Sequence, residues 1–261
     1  MSHLLRAWSV QYRVLGALFM REIQTRWGRR NLGFAWLFAE PLVFAFPVLA
    51  MWSMMRSNLE HGMPLIAFLW SGYLPLLLFR HVTGHAIYTI RNNAALLYHR
   101  AVNPLDIVIG RCGLEAIGNL AATTASFLIF YMIGEIEWPQ NMPLFIMGML
   151  YMAWWAIAVA LIVAAWSERS DLVEHIWLPI SYLYMPVSGF FYLAEWLPLS
   201  IRDFALTVMP SLHSYEMIRG GLFGNRIQVF YDTAYLSAVL AGLTLFGLWL
   251  MRDVRRHIQF D

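Results

Sequence analysis

The sequence predicts an all-α membrane protein with six transmembrane helices, an N-terminal amphipathic helix, and short re-entrant helices between spans five and six. Three observations lead there. Hydrophobic residues make up 60% of the 261 and charged residues only 13%, with a mean hydropathy of +0.56, far from the balance of a soluble domain. Six apolar segments of roughly span length recur at 32–55, 64–83, 105–134, 143–166, 173–193 and 233–251. If those segments alternate across a bilayer, fourteen of the eighteen basic residues, all of them arginine, fall on one side. Arginine-rich flanks stay in the cytoplasm, so both termini and the second-to-third and fourth-to-fifth connections are expected there.

Each element has its own warrant. In 3–26, Leu4, Trp8, Tyr12, Leu15, Phe19 and Ile23 recur every three or four residues, a helical stripe. With Arg6 and Arg13 on another face, this reads as an interfacial helix on the cytoplasmic membrane surface, residues 1–30 forming one unit. The alternative is a helix packed on the protein's own spans. Arg26, Arg29 and Arg30 then run into the first apolar segment and mark where the chain enters the membrane. Residues 31–261 form one six-span domain. Glu40, followed by Pro41, is an intramembrane carboxylate, read with equal weight as lining a polar cavity or capping backbone groups beside a kink. The third apolar segment exceeds a bilayer's thickness, so part of 105–115 is expected to project into the cytoplasm, with Glu115 near the interface.

Two connections carry the functional readings. Between spans two and three, Asn92 or Asn93 could cap a short helix bearing Leu96, Leu97 and Tyr98, with Asn103-Pro104 ending it. An apolar patch on a helix outside the membrane suits docking into a groove of another protein, and a solvated hairpin connection is the equal alternative. Between spans five and six, 194–232 is too broken to span, yet Trp196-Leu197-Pro198-Leu199 and Phe204-Ala205-Leu206 are apolar. Irregular backbone at membrane depth needs protein or a wet cavity around it, which two short re-entrant helices at an outer mouth would provide. His213, Glu216 and Arg219 share a helical face there, and Glu216 and Arg219, three apart, are placed to pair.

Several chemistries lack support. No His-Glu-x-x-His, Gly-x-Ser-x-Gly or paired cysteine occurs, the single cysteine being Cys112, so no catalytic or metal-ligating set is assigned. The chain has no lysine, which a nucleotide-binding Walker A loop requires. If ATP drives this protein, another polypeptide holds it. A proton-driven transporter would want more buried carboxylates than Glu40 and Glu115, and a membrane enzyme acting on lipid-linked sugars would have to use His213, Glu216 and Arg219.

The stretch Asn31-Leu32-Gly33-Phe34-Ala35-Trp36-Leu37-Phe38-Ala39-Glu40-Pro41 resembles the membrane entry of permease subunits of ABC exporters for polysaccharides, best in their capsule-export (KpsM-like) branch. Pro210-Ser211-Leu212-His213-Ser214-Tyr215-Glu216-Met217-Ile218-Arg219 is similar to that family's Pro-x-x-His-x-x-Glu-x-x-Arg pattern, and Ser170-Asp171-Leu172-Val173-Glu174 to its element between spans four and five. Met209 departs from the pattern, where a more polar residue, often asparagine, is usual.

The resemblance implies a half-transporter of the bacterial inner membrane, working as a homodimer with two cytoplasmic ATPase subunits. ATP and magnesium would sit on those subunits, with no cofactor on this chain. The substrate would be a lipid-linked, usually acidic capsular polysaccharide, passed on to periplasmic and outer-membrane export proteins; an O-antigen or teichoic-acid polymer is the alternative. Nucleic acid has no place in this scheme. The resemblance makes 92–102 the coupling helix, with Arg91, Asn92, Leu96, Leu97, Tyr98 and Arg100 at the ATPase joined by Ser170, Asp171 and Glu174. Residues 194–220 become a periplasmic gate built on Pro210, His213, Glu216 and Arg219. Aromatic residues suit the C–H faces of sugars, and Trp36, Phe46, Tyr73, Tyr151 and Trp154, with Glu40, are the candidates to line a channel between two copies.

Overall fold

The computed structural model describes residues 2–27, 63–98 and 102–254, together with 42–43, 46–47, 50–51 and 59–60. Most of the first predicted span, with Trp36 and Glu40, lies outside the described residues. The described part begins with α1 (Ser2–Trp27), followed by a two-residue antiparallel pair, β1 (Leu59–Glu60) and β2 (Met63–Pro64). Then come α2 (Leu65–Ala86), a 3-10 helix (Arg91–Tyr98), α3 (Pro104–Met132), α4 (Met142–Ser167), α5 (Asp171–Leu183), α6 (Leu199–Val208), α7 (Pro210–Phe223) and α8 (Thr233–Met251).

Among the described residues four helices, α2, α3, α4 and α8, are long and apolar enough to cross a membrane. They match the predicted second, third, fourth and sixth segments. α3 has 29 residues, about 43 Å of helix, so the expectation of a span longer than the bilayer holds for its length. α2 is the most enclosed, buried on all sides from Ala67 to Phe79 despite Pro75 in its interior. α4 packs against α2, α7 and α8 through a run of buried small residues, Ala153, Ala156, Ala160, Ala164 and Ala165. Small side chains let backbones approach closely, which is how helices associate where no hydrophobic drive separates lipid from protein.

The fifth apolar segment folds differently from the prediction. Its helix, α5, has only 13 residues, about 20 Å, short of a hydrocarbon core of about 30 Å. Helix geometry ends at Tyr184, Pro186 lacks a donor to continue it, and Gly189 turns the chain at φ +102°, a backbone that other residues rarely adopt.

The N-terminal helix corrects the interfacial reading on one face. α1 packs on α3, with Leu18 and Glu22 buried, while Tyr12 of the expected stripe is 80% exposed. The buried line is one residue off the apolar stripe because charge draws it there. Glu22 Oε2 accepts from Arg111 Nη1 at 2.6 Å, and Arg111 also lies 3.6 Å from Glu115, which is 3% exposed and 3.6 Å from His85. Glu115 is thus a buried member of an ionic chain joining α1, α2 and α3.

Candidate functional site

Two polar clusters flank the apolar bundle. The first centres on Arg91, at the start of the 3-10 helix. Tyr88 adopts φ +59° and turns the chain out of α2 into this helix. Arg91 then reaches the α4–α5 connection, with Nη1 2.9 Å from Glu174, Nη2 3.1 Å from Asp171 and Nε 3.6 Å from Glu168. Asp171 and Glu174 occupy the first turn of α5 after Ser170 at its N-cap, where the helix dipole favours carboxylates. Two of the sequence motifs, 80 residues apart, therefore meet through one guanidinium. Burial pushes the Glu168 carboxyl above its ordinary range, and Arg91 pulls it back. Asn93 ties in α1: its Oδ1 accepts from Arg21 Nη1 at 2.6 Å, and its Nδ2 donates to the Thr89 carbonyl at 2.9 Å.

The docking patch read from the sequence needs correction here. Leu97 is 3% exposed and belongs to the main core, and Leu96 packs partly buried against it. A leucine already sealed in its own bundle cannot seat in a partner's groove; it fastens the short helix to the spans. The outward residues are Arg91, Asn92 and Ala95. The Tyr98 side chain and Arg100 lie outside the described residues. Asn93 stands at a kink within the 3-10 stretch (φ -119°, ψ 16°), with its side chain bonded to Arg21 and Thr89, and Pro104 opens α3 instead of closing the short helix, with the Asp106 carboxylate accepting from Asn103 N–H at 3.0 Å.

The second cluster is α7, every residue of which is buried. Pro210 opens it, where a missing N–H costs nothing. Glycines set its contact with α4. A Cβ at Gly221 would stand 2.4 Å from the Phe145 nitrogen, and one at Gly148 2.8 Å from the Ile218 nitrogen. Glu216 and Arg219, both 0% exposed, form no ion pair with each other among the described residues, contrary to the spacing argument. Each clamps backbone instead. Arg219 Nη1 donates to the carbonyls of Gly189 (2.7 Å) and Tyr192 (2.5 Å), and Nη2 donates to that of Phe190. Its guanidinium carbon lies 4.2 Å from the Phe68 ring centroid. Glu216 accepts from the N–H groups of Ala194 and Phe230, both at 2.9 Å.

The division is physical. The broken end of the α5 segment leaves carbonyls without partners, which a cation satisfies, whereas free N–H groups take a carboxylate. His213 extends the clamp: Nδ1 accepts from Asp232 N–H at 3.0 Å, and Nε2 lies 2.8 Å from the Leu206 carbonyl. That pattern assigns the proton to Nε2 of a neutral ring. Burial depresses the His213 pKa accordingly. The His-Glu-Arg face of α7 thus holds α6, the 189–194 turn and the entry to α8 in one arrangement.

The four channel candidates among the described residues are not gathered in one place. Tyr151 hydroxyl and Ser237 Oγ are 2.7 Å apart, and Trp154 Nε1 donates to Thr244 Oγ1 at 3.0 Å, so both rings bridge α4 to α8. Tyr73 is 8% exposed, with its ring against Phe190. The Phe46 ring lies 5.2 Å from that of Phe130. Among the described residues no cluster of histidine, cysteine and carboxylates is arranged for a metal.

The four apolar helices, the short buried helix α7 and the Arg91 junction are the frame of a membrane transport subunit, and residues 13–223 match the ABC-2 type transporter family. The chain belongs to that family. It is 35% identical over 251 residues to the capsule polysaccharide export inner-membrane protein CtrC of Neisseria meningitidis serogroup B, covering 96% of this chain and 94% of the relative. The capsule polysaccharide export inner-membrane protein BexB of Haemophilus influenzae is similar to the same extent, 35% over 251 residues with the same coverage. The polysialic acid transport protein KpsM of Escherichia coli is 31% identical over 126 residues, 48% of this chain and 49% of the relative.

Proposed function

We propose that this chain is the membrane subunit of an ATP-driven exporter that moves lipid-linked capsular polysaccharide out across the bacterial inner membrane. It works as a dimer with two separate ATPase subunits, both termini facing the cytoplasm. Near end-to-end similarity to two proteins named for capsule polysaccharide export carries this reading. The arginine bias supports the orientation, and the absence of lysine supports a separate nucleotide-binding chain.

The Arg91 cluster supports the coupling role. A force applied to the short helix passes to α1 through Arg21 and Asn93, to α5 through Asp171 and Glu174, and to the bundle through Leu97. The ATPase would press on the outward residues, Arg91, Asn92 and Ala95. On the opposite side, α6 and α7 would form the periplasmic gate, with the His213, Glu216 and Arg219 clamp setting its closed shape.

The test is Ala95→Glu, which adds charge to the outward face without touching the core. It should abolish co-purification of the ATPase and surface display of polymer, while a Glu135→Ala control on the opposite connection changes neither. Wild-type ATPase association and export by the Ala95→Glu protein would refute the coupling assignment.

A further inference from the structure

Arg80 lies within α2, six residues before its end. Its guanidinium carbon sits 3.8 Å from the centroid of the Tyr182 ring, on α5. Tyr182 is 11 residues beyond the first residue of α5, about 16 Å along that helix. The end of α2 and the start of α5 lie on the same side, joined by Arg91 and Asp171. A long cation near a helix end ordinarily reaches toward the headgroups. Arg80 does not; its guanidinium is laid on the Tyr182 ring.

Its partners are few. Arg80 Nε is buried without a hydrogen bond, and no carboxylate pairs with Arg80 among the described residues, whereas Arg91, Arg111 and Arg226 each have one. An ionisable group inside a span is costly unless it faces water, a counter-charge or a ligand. Tyr182 is 54% exposed, and α5 buries only Ser181, so the pair opens on a face that the described residues leave uncovered. Tyr73, two turns earlier on the same side of α2, lies beneath it at 8% exposure.

Resting on the exporter reading above, we propose that Arg80, braced by Tyr182, is a specificity-determining contact on the transport path, binding the carboxylate or phosphate groups of the passing polymer. Stacking fixes the guanidinium plane and leaves its edge donors free, the geometry for bidentate recognition of planar anions. The exposed rim of Tyr182 offers a surface for the C–H face of the adjoining sugar. A single stacked cation also suits passage, because a site on a conduction path must hold its cargo weakly enough to release it.

The experiment uses the permease purified with its ATPase partner in nanodiscs, and two probes of equal length, an oligogalacturonate and a neutral malto-oligosaccharide. Binding is read by tryptophan fluorescence and by ATP hydrolysis. The wild type should bind the acidic probe in a salt-dependent manner, and Arg80→Gln should weaken that binding by at least about tenfold. Arg80→Lys and Tyr182→Leu should be intermediate, and the neutral probe should be indifferent to all three. Arg80→Gln should also lower surface polymer while ATPase association and basal hydrolysis persist.

Wild-type affinity of Arg80→Gln for the acidic probe would overturn the assignment. So would dissociation of the dimer in that variant, a defect seen only in nanodiscs containing phosphatidylglycerol, or rescue of the variant Arg80→Glu by Glu40→Arg. These would make Arg80 a subunit contact, a lipid contact or half of an ion pair. A wild-type complex that exports polymer but ignores the acidic probe overturns the Arg80 assignment alone. One that neither associates with an ATPase nor exports overturns both readings.

Discussion

Replacing Arg219 with methionine should be among the most damaging single changes outside the transmembrane helices. The side chain is fully enclosed and supplies charged donors to the carbonyls of Gly189, Phe190 and Tyr192. Hydrogen bonds to a charged group are worth about 1.5–3 kcal/mol each, giving a gross loss on the order of 5–9 kcal/mol. Against that stands relief of the several kcal/mol that burying a guanidinium costs. Breaking such a buried arrangement by removing one side leaves a net loss of about 3–5 kcal/mol, or roughly 10 °C in Tm for a chain of this size.

Glu216→Gln is a milder probe. The amide keeps one acceptor for Ala194 or Phe230 N–H and turns its own donors toward the other, costing about 1–3 kcal/mol. Thermal unfolding of detergent-purified protein, followed by size-exclusion fluorescence, measures both. Hydrogen exchange of 184–197 should rise first in Arg219→Met, because that segment loses its anchor while α4 and α2 keep theirs. A Tm within about 1 °C of wild type for Arg219→Met, or a greater loss for Glu216→Gln, would refute the reasoning.

Two further predictions follow from the same region. Gly221→Ala places a methyl 2.4 Å from the Phe145 nitrogen and 2.6 Å from its Cα, atoms of the α4 backbone that cannot swing aside, so it should cost at least about 1–3 kcal/mol; Gly242→Ala meets nothing within 4 Å and should be neutral or stabilising by up to about 1 kcal/mol, and the reverse order of the two Tm values would contradict the packing. Burial holds the His213 pKa below its ordinary value of 6.5 despite the Leu206 carbonyl and Asp232, so the unfolded chain takes up that proton first: stability is intact above the ordinary value and is lost as pH falls through the folded one. Unfolding at about pH 7.5 and about pH 5 should show an acid-side loss that His213→Gln reduces, and an equal loss in both proteins would remove His213 as its source.

Much of the architecture is legible in the residues because length and apolarity suffice for it. α2, α3, α4 and α8 announce themselves as continuous apolar runs, and two short helices are expected between the last two segments because 194–232 is apolar in places yet too broken to span. The fifth segment misleads for a specific reason. Residues 173–193 are mostly apolar, but hydropathy averages over Pro186 and Gly189, and the turn they allow is stabilised by Arg219, thirty residues later. No local pattern could reveal that partner. Leu97 misleads in the same way: a short amphipathic helix has one apolar face, and the sequence does not say whether that face turns outward or into its own core. The covered face is decided by neighbours such as Ile90 and the spans.

The site residues obey a similar division. Sequence motifs bring forward Arg91, Asp171, Glu174, His213, Glu216 and Arg219, and all six lie at polar junctions. What the motifs omit is direction. Spacing alone made Glu216 and Arg219 partners of each other, since residues three apart on a helix are neighbours. Yet a carboxylate and a guanidinium that pair leave the broken backbone around them unsatisfied, and each unmet carbonyl or N–H in an apolar bundle costs free energy comparable to the pair's own gain. Turned to the backbone instead of to each other, the two ions satisfy five backbone groups around α7. The Arg91 junction has the opposite economy: it stands at a helix N-terminus and at partly exposed loops, where water meets the backbone's needs and a direct ion pair is the better use of the charge. Depth in the bundle therefore decides whether a charged motif binds backbone or its opposite number, and Arg80, which has neither among the described residues, is the one assigned above to a partner outside the chain.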